Sequence, residues 1–420
     1  MKLNILPLVC IAALSQASLF ALTRSTEQMV SIRDGAPHVQ QYPSYGDFAA
    51  ILDNGSLLSW GYSSPGGLRP TIPEGRSLVS IAANPGDIIF TGSFAGILDD
   101  GGLQCWGNSW YGGTTPKIPI GRKVVAIAST LGAFAALLDD GSLQCWGMST
   151  VGGITPKIPI GRKVVALAST AEAFAAILDD GSLRCWGDYE GERNFGGFTP
   201  TIPKGKSVVS LTSSDRCSVA ILNDGTLKCW GGHNRCINWE PRMPDGKKVL
   251  SIAANDDSFF ALLDDGTVSF WGALSGFRVA QKAQIPTGKK VSFITANSYN
   301  FVAILDDGTA CSWSYNNWLF SPISIPGNKK ILSITASDYA FAAILEDKTV
   351  YCWGDSNYGG STPKIPDGRT VISISANKSA FTAILDNGSL LCWGNRTCGG
   401  TTPTIPEGRT VIFVTGGQQG

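Results

Sequence analysis

Residues 134–162 read FAALLDDGSLQCWGMSTVGGITPKIPIGR, and this stretch recurs with edits from one end of the chain to the other. Alignment of the copies on their Trp-Gly core places one tryptophan in each of nine units: Trp60, Trp106, Trp146, Trp186, Trp230, Trp271, Trp313, Trp353 and Trp393. Successive tryptophans lie 40 to 46 residues apart. A period of this size indicates one supersecondary unit that is copied many times and stacked against its neighbours.

Each unit predicts four β-strands, which we call A to D in chain order. In the unit of Trp146, strand A covers residues 125–128 and strand B covers residues 134–138. The sequence Asp-Asp-Gly then makes a tight hairpin turn, because glycine supplies the positive φ that such turns need. Strand C covers residues 143–146, and strand D covers residues 155–159. A link with the sequence Gly-Arg-Lys leads into the next strand A.

The composition of strands B and D indicates how the units pack. Residues 134–138 are all apolar, whereas a strand with one wet face would alternate apolar and polar residues. Both faces of strand B are therefore predicted to be buried, as when small sheets stack face to face around an axis. Pro156 and Pro159 confine strand D to an outer edge, because proline cannot donate to a ladder. The prediction is an all-β fold, a β-propeller with four-stranded blades of about 40 residues.

The order of these motifs resembles the RCC1-type repeat: strand A, then Ala-x-Leu-x-x-Asp-Gly, then Trp-Gly, then a loop ending near Gly-Gly-x-Thr-Pro. The resemblance covers roughly residues 30–414 and is closest to the bacterial β-lactamase-inhibitor-II branch of that superfamily. It implies an RCC1-like β-propeller. Two features of the family pattern differ. Ala133 and Ala173 stand near the position of the RCC1 histidine before strand B, and Gly112-Gly113 replaces its Gly-Gln-Leu-Gly.

The number of blades and the closure of the ring follow from counting segments. The chain has nine B–C hairpins but ten segments that resemble strand A, from residues 30–32 to residues 411–414. The surplus predicts that the C-terminal strand completes the first blade, so that N- and C-terminal strands close the ring and remove exposed edges. Nine blades exceed the roughly four to eight that are typical, so we expect seven to nine blades. A seven-blade ring with extra units, an open array and a truncated chain are the alternatives.

The N-terminus differs from the repeats. Lys2 precedes an apolar run over residues 3–22, and Ser15 and Ala17 are small residues at the −3 and −1 positions of a cleavage after Ala17. This order is typical of a secretory signal peptide. We therefore expect a signal peptide at residues 1–17, a propeller domain of nine Trp-Gly units at residues 18–420, and secretion to the extracellular space. An N-terminal strand and a membrane-anchoring helix are the alternatives.

Charge and hydropathy exclude several classes of partner. The chain carries 33 Lys plus Arg and 33 Asp plus Glu, so its formal net charge is zero. A strongly basic nucleic-acid binder is therefore not indicated. No apolar run after the N-terminus approaches the roughly 18–20 residues that span a bilayer. We expect a monomer that binds neither nucleic acid nor the membrane interior.

Six of the 11 cysteines occupy one slot, immediately before the tryptophan: Cys105, Cys145, Cys185, Cys229, Cys352 and Cys392. Other units place Ser59, Phe270 or Ser312 there, so the slot is predicted to be a packing position that suits a small apolar side chain. Two pairs that include a cysteine outside this pattern are candidates for disulfides. They are Cys217 with Cys236, and Cys392 with Cys398.

The up-and-down course of each blade predicts two different faces. The B–C turns and D–A links share one face, which carries acidic turns such as Asp139-Asp140 and basic links such as Arg162-Lys163. These charges are predicted to neutralise each other, because Asp and Gly are ordinary turn residues. The A–B and C–D loops share the other face and vary in sequence. Variable loops on a fixed scaffold are typical of binding surfaces.

The variable loops carry nine candidate partner-binding aromatics, chosen because Trp and Tyr dominate interface energetics. They are Trp110, Tyr111, Tyr189, Phe195, Trp239, Phe277, Trp318, Phe320 and Tyr358. The alternative for each is that its ring folds down over a neighbouring blade. The repeat tryptophans are instead predicted to be buried between blades.

Catalysis finds little support in the sequence. His38 and His233 are the two histidines of the chain and belong to separate units, and no His-Cys metal spacing or phosphate-binding loop is present. We therefore predict a protein that is not an enzyme, with no cofactor and no metal, and that binds a protein partner of unknown identity through the variable loops. The alternatives are a secreted enzyme inhibitor of the β-lactamase-inhibitor type and an RCC1-type guanine-nucleotide exchange or regulatory protein. Exposed aromatics on one face would favour binding, and convergent carboxylates in the channel would favour an enzyme.

Overall fold

The computed structural model describes residues 47–61, 70–84, 92–188, 195–232, 243, 246–255, 258–272, 281–314 and 320–416. These residues form nine antiparallel sheets, which we call blades 1 to 9. Blades 2 to 5 contain β3 Leu78–Asn84, β4 Ser93–Leu98 and β5 Leu103–Gly107; β6 Val124–Ser129, β7 Ala133–Leu138 and β8 Leu143–Gly147; β9 Val164–Ser169, β10 Ala173–Leu178 and β11 Leu183–Gly187; and β12 Val208–Ser213, β13 Cys217–Leu222 and β14 Leu227–Gly231.

The remaining strands complete the second half of the ring. Blades 6 to 9 contain β15 Val249–Ala254, β16 Ser258–Leu263, β17 Val268–Gly272 and β18 Gln281–Lys282; β19 Val291–Ala296, β20 Asn300–Leu305, β21 Ala310–Ser314 and β22 Phe320–Ile323; β23 Ile331–Ala336, β24 Ala340–Leu345 and β25 Val350–Gly354; and β26 Val371–Ala376, β27 Ala380–Leu385 and β28 Leu390–Gly394. Blade 1 contains β1 Asp47–Leu52, β2 Leu57–Gly61 and the C-terminal β29 Val411–Gly416. Short 3-10 turns occur at Ser109–Tyr111, Ser149–Val151, Pro326–Asn328, Ser356–Tyr358 and Arg396–Cys398.

The two ends of the described chain meet in blade 1, as predicted. Strand β29 takes the strand A position and pairs with β1, with Ala50 opposite Val414. Hydrophobic clusters join each blade to the next, and one of them joins Ile384 of blade 9 to Phe48 and Val414 of blade 1. The blades therefore form a closed ring. Blades 9 and 1 pack against each other like any other neighbours, so none of the described blades has an uncovered side.

The backbone hydrogen bonds between blades repeat around the ring. In blade 3 the carbonyl of Gly141, at the B–C turn, accepts from the N–H of Val164, the first residue of strand A in blade 4 (2.8 Å). The same bond crosses the closure, where Val411 N–H donates to Gly388 O at 2.8 Å. The closure is therefore built from the same contacts as every other blade junction.

Strand C packs its tryptophan against the neighbouring blade. The ring of Trp146 stacks on Phe134 of the adjacent strand at a centroid distance of 5.3 Å, and both are buried. Its indole N–H donates to Gly112 O of the preceding blade at 2.9 Å. The prediction of a buried tryptophan between blades is confirmed for eight of the nine units, and Trp353 is half-buried.

The cysteine slot is also a packing position. Cys105, Cys145 and Cys185 are buried, and this burial raises the pKa of each thiol to about 12. Cys392 and Cys398 are both free thiols, so the pairing considered between them is wrong. Cys236, the other candidate for pairing with Cys217, lies outside the described residues.

The fourth strand differs from the prediction. Residues 155–159 form no strand, because Pro156 lacks the N–H that a ladder needs. Instead the hydroxyl of Thr155 accepts the outward-facing N–H of Cys145 at 2.8 Å. The same hydroxyl contact occurs in four other blades, from Thr115, Thr199, Thr362 and Thr402. Regular fourth strands are described in blades 6 and 7, as β18 and β22.

Candidate functional site

In five of the described blades, hydrogen bonds tie the A–B turn and the C–D loop together on one face, which we call the loop face. In blade 3 the Thr130 hydroxyl accepts from Ala133 N–H at 3.1 Å and donates to Val151 O at 3.0 Å. The equivalent contacts to the C–D loop are Asn84 to Tyr111, Thr170 to Phe195, Ser337 to Tyr358 and Asn377 to Cys398. The loop face therefore has a fixed backbone on which side chains vary.

The C–D loop of blade 2 presents the most exposed aromatic side chain of the described residues. Asn108 accepts from Trp110 N–H at 2.9 Å and so starts the 3-10 turn Ser109–Tyr111. Gly112 ends the turn with φ 97, a conformation that favours glycine. The turn directs Trp110 outward, where 79% of the residue is exposed.

The other predicted aromatics divide into three groups. Tyr111 and Phe195 are buried, with 8% and 6% of each residue exposed. Each stands immediately before a Gly-Gly pair, and its own backbone carbonyl accepts a hydrogen bond from the A–B turn. Their rings thus support the loop face from below and do not form its surface. Phe320 and Tyr358 are half-buried, and Phe320 packs edge-on against Trp313 at 6.0 Å. Tyr189, Trp239, Phe277 and Trp318 lie outside the described residues.

A second aromatic patch joins blades 7 and 8, and two of its three members are absent from the sequence-based candidates. Tyr299 and Tyr339 lie in the A–B turns of these blades and stack at a centroid distance of 4.5 Å. Tyr358 of the C–D loop packs on Tyr339 at 4.3 Å. The Tyr339 hydroxyl donates to the Tyr299 hydroxyl at 3.0 Å, and this bond and burial raise the pKa of Tyr339. We call Tyr299, Tyr339 and Tyr358 the tyrosine ladder.

Ionisable groups from several blades converge where the A–B turns meet on the loop face. The turns are joined by backbone bonds such as Ala171 N–H to Asp215 O at 2.8 Å and Asp338 N–H to Lys378 O at 2.9 Å. Burial raises the pKa of Asp338 to about 6, the Lys378 ammonium lowers it, and the Asp215 carboxylate of blade 5 raises it further. The Asp215 carboxylate and the Lys378 ammonium therefore act on the Asp338 carboxyl group in opposite directions.

The opposite face, formed by the B–C turns and D–A links, is called the turn face. Arg122 of a D–A link lies 2.9 Å from Asp140 of the B–C turn in the same blade. Equivalent pairs are Arg76–Asp100, Arg162–Asp180, Lys206–Asp224, Lys247–Asp265, Lys289–Asp307 and Lys329–Asp347. The Ser142 hydroxyl and N–H donate to Asp140, and the hydroxyl bond is the main reason that the pKa of Asp140 is lowered. The acidic turns are therefore explained by turn geometry and ion pairing.

Two searches of the described residues bear on other functions. No group of three or more His, Cys, Asp or Glu side chains that could hold a metal ion occurs among them. None of their helices is long and apolar enough to cross a membrane.

The family model for the regulator of chromosome condensation (RCC1) repeat matches residues 331–359, which cover strands A to C and the following loop of blade 8. No curated protein matches the chain in a sequence comparison. The matched repeat and the strand pairing together give an RCC1-like repeat propeller.

Several solved structures are similar to this chain. Prp20p of Saccharomyces cerevisiae, described with its binding to Gsp1p and histones, is 18% identical with a TM-score of 0.44, over 61% of this chain and 80% of that chain. The CRINKLY WD40 ectodomain of the Arabidopsis thaliana receptor kinase ACR4 is 21% identical with a TM-score of 0.42, over 69% and 99% of the two chains. The computationally designed Ika8 protein is 18% identical with a TM-score of 0.43, over 72% and 93%.

Proposed function

We propose that this RCC1-like repeat propeller is a secreted, non-enzymatic protein that binds a protein partner through its loop face. The observation that carries the proposal is the placement of solvent-accessible aromatic side chains on that face, of which Trp110 is 79% and Tyr299 39% exposed. Trp110 projects from blade 2, and the tyrosine ladder lies across blades 7 and 8. Trp and Tyr are the side chains that most often dominate binding energy at protein interfaces.

The backbone beneath these side chains supports the proposal. Trp110 stands on a turn that is fixed at both ends, by Asn108 and by Gly112. The ladder is fixed by stacking and by the hydroxyl bond between Tyr339 and Tyr299. Because the backbone beneath Trp110 and the stacked rings of the tyrosine ladder are already ordered, binding would cost less conformational entropy. Tyr189, Trp239, Phe277 and Trp318 belong to C–D loops of the intervening blades, and we propose that they extend the same surface.

Export of the protein is the second part of the proposal. Its support is the order of residues 1–17, with Lys2, an apolar run, and small residues at Ser15 and Ala17. An exported partner-binding propeller is compatible with inhibition of an enzyme, in which the aromatic loops would fill a cleft. The exchange activity of intracellular RCC1-type proteins is less compatible with export and with zero net charge.

The electrostatic effect of Asp215 on Asp338 is the one observation that favours an enzyme. Asp338 has a raised pKa of about 6, which is suitable for a proton-transfer group. Burial and the neighbouring Asp215 charge explain that value without any substrate, and Lys378 lies close enough to compensate the charge. We therefore prefer binding as the function of this face.

A comparative capture experiment tests the proposal. The chain is immobilised as wild type, as Trp110→Ala with Tyr339→Ala, and as Ile160→Thr, which alters an exposed side chain on the turn face. Bound proteins from the producing culture are quantified by mass spectrometry. The expected result is a protein enriched by the wild type and by Ile160→Thr and depleted with the double variant. Equal enrichment by all three forms, with unchanged circular dichroism, would contradict a loop-face site.

A further inference from the structure

Two neighbouring D–A links on the turn face carry an unusual tip. Residues 117–123 and 157–163 have the same sequence, KIPIGRK, and lead into blades 3 and 4. Ile120 and Ile160, at the tips, are fully exposed. The adjacent Gly121 and Gly161 have no other atoms within 4 Å of the position of a Cβ, so the tips stand clear of the body of the protein. Two isoleucines therefore project into solvent from adjacent blades.

The same two links carry six Lys and Arg side chains, whereas the B–C turns of their own blades, 3 and 4, carry four aspartates. Arg122 and Arg162 pair with the B–C turns of their blades. The four lysines of the two links are exposed, and none of them has an ion-pair partner in the part of the chain that the structure describes: Lys117, Lys123, Lys157 and Lys163. Each isoleucine tip is thus flanked by ammonium groups that form no direct ion pair among the described residues.

The turn itself does not require isoleucine. The equivalent position holds Glu74 before blade 2, Lys204 before blade 5, Asp367 before blade 9 and Glu407 before β29. These turns keep the same Pro-x-Gly backbone and the same hydrogen bond from the residue after glycine to the proline carbonyl. Isoleucine at a fully exposed tip is therefore a property of two blades and is not a requirement of the fold.

We propose that the Ile120 and Ile160 links dock this face of the protein onto an anionic lipid surface. Aliphatic tips enter the boundary between headgroups and acyl chains, while the lysines beside them attract the negative charge of the lipid. Insertion of apolar side chains and attraction to anionic lipid together attach a protein stably to a membrane, whereas either contribution alone gives only marginal binding. Convex, protruding tips suit a fluid surface, whereas the anchors of protein interfaces sit in closely packed pockets. This surface lies opposite the loop face, so a bound protein partner and a membrane would not compete.

Cosedimentation of the full chain with vesicles tests the proposal. One vesicle preparation contains phosphatidylcholine alone, and the other adds about one third phosphatidylserine, which supplies the negative surface potential. The wild type is expected to bind the anionic vesicles and to be released by high salt. Ile120→Thr with Ile160→Thr, which keeps the charge, and Lys117→Gln with Lys157→Gln, which keeps the tips, should each reduce partitioning about tenfold.

Two controls separate the outcomes. Ile154→Thr removes an isoleucine that is 66% exposed in the Gly-Gly loop region, where the equivalent residues are Thr114 and Thr401, and it should bind vesicles like the wild type. Light scattering without vesicles detects a second copy of the chain as the alternative occupant. The proposal would be overturned by equal vesicle binding of wild type and the isoleucine variant, by no preference for anionic vesicles, or by a dimer that the isoleucine variant disrupts.

Discussion

Blade 3 and blade 6 share the same three-stranded core but complete their outer edges differently. In blade 3 the Thr155 hydroxyl accepts the N–H of Cys145, and Pro156 prevents a ladder. In blade 6 Ala283 takes the place of that proline, and its N–H donates to Val268 O at 3.0 Å beside the short strand β18. The comparison shows that the outward-facing backbone groups of strand C need hydrogen-bond partners. The residue at the position of Pro156 decides whether a threonine hydroxyl or a fourth strand supplies those partners.

The tryptophans of the two blades differ in the same way. Trp146 donates to Gly112 O, whereas the indole N–H of Trp271 is buried with no hydrogen-bond partner among the described residues. Both rings stack on the phenylalanine of strand B, at 5.3 and 5.5 Å. Trp313 and Trp353 of blades 7 and 8 share this lack of an indole partner among the described residues, whereas Trp393 of blade 9 donates to Gly359 O at 3.1 Å.

The largest predicted effect concerns these two tryptophans. Trp146→Phe removes ring volume and leaves the buried Gly112 carbonyl without its partner, so it should lower the free energy of unfolding by about 2–4 kcal/mol. Trp271→Phe removes similar volume but also removes an unpaired N–H, so its cost should be smaller by about 1 kcal/mol or more. Urea unfolding of both variants measures the difference. Equal costs would mean that the indole bond contributes nothing to stability.

The next effect distinguishes the A–B turns of blades 3 and 8. Blade 3 has Leu131 where blade 8 has Asp338, whose pKa is raised to about 6 in the folded protein. In the unfolded chain this carboxyl group ionises near its ordinary value of about 3.9. The folded state thus binds more protons between these values, and stability is lost as pH rises through this window.

Asp338→Asn removes this pH dependence. The variant should match the wild type near pH 3.5 and exceed its free energy of unfolding by about 1–2 kcal/mol at pH 7.5, after allowance for partial solvent screening. The difference between the two proteins, measured by denaturant unfolding across the pH range, isolates this residue from the other carboxyl groups. A difference that does not change with pH would contradict the assigned environment.

The smallest predicted effect concerns the outer edge of strand C, which is completed either by a threonine hydroxyl or by a fourth strand. Thr155→Val in blade 3 leaves the Cys145 N–H without its acceptor and should cost about 1 kcal/mol. Adding Pro156→Ala should recover part of that cost, because the new N–H can donate to strand C as Ala283 does in blade 6. Thermal unfolding of the single and double variants provides the measurement. A double variant less stable than Thr155→Val would show that the proline stabilises the edge in another way.

Much of the scaffold could be predicted from the repeat. The copies predicted the B–C hairpins, the buried tryptophan, the cysteine slot and the closure of the ring by the C-terminal strand, because these depend on local patterns repeated nine times. Strand D was predicted as a ladder strand in every unit. The hydroxyl contact of Thr155 replaced it, which shows that the proline signal should have had more weight.

The candidate site was less predictable, because residues that are adjacent in the sequence differ in solvent exposure. Trp110 is exposed, while Tyr111 is buried in the slot before Gly-Gly. That slot holds Val151 and Cys398 in other copies, so alignment of the units could have identified it as structural. The electrostatic effect of Asp215 on Asp338 had no local signal, because the two residues belong to blades 5 and 8 and are far apart in the sequence.

Amide hydrogen exchange of the chain, alone and with its captured partner, tests the central claim most directly. Exchange in the C–D loop around Trp110 and in the A–B turns of Tyr299 and Tyr339 should slow on binding, while the B–C turns of the opposite face stay unchanged. Protection confined to the B–C turns and D–A links, with free exchange on the loop face, would contradict the account.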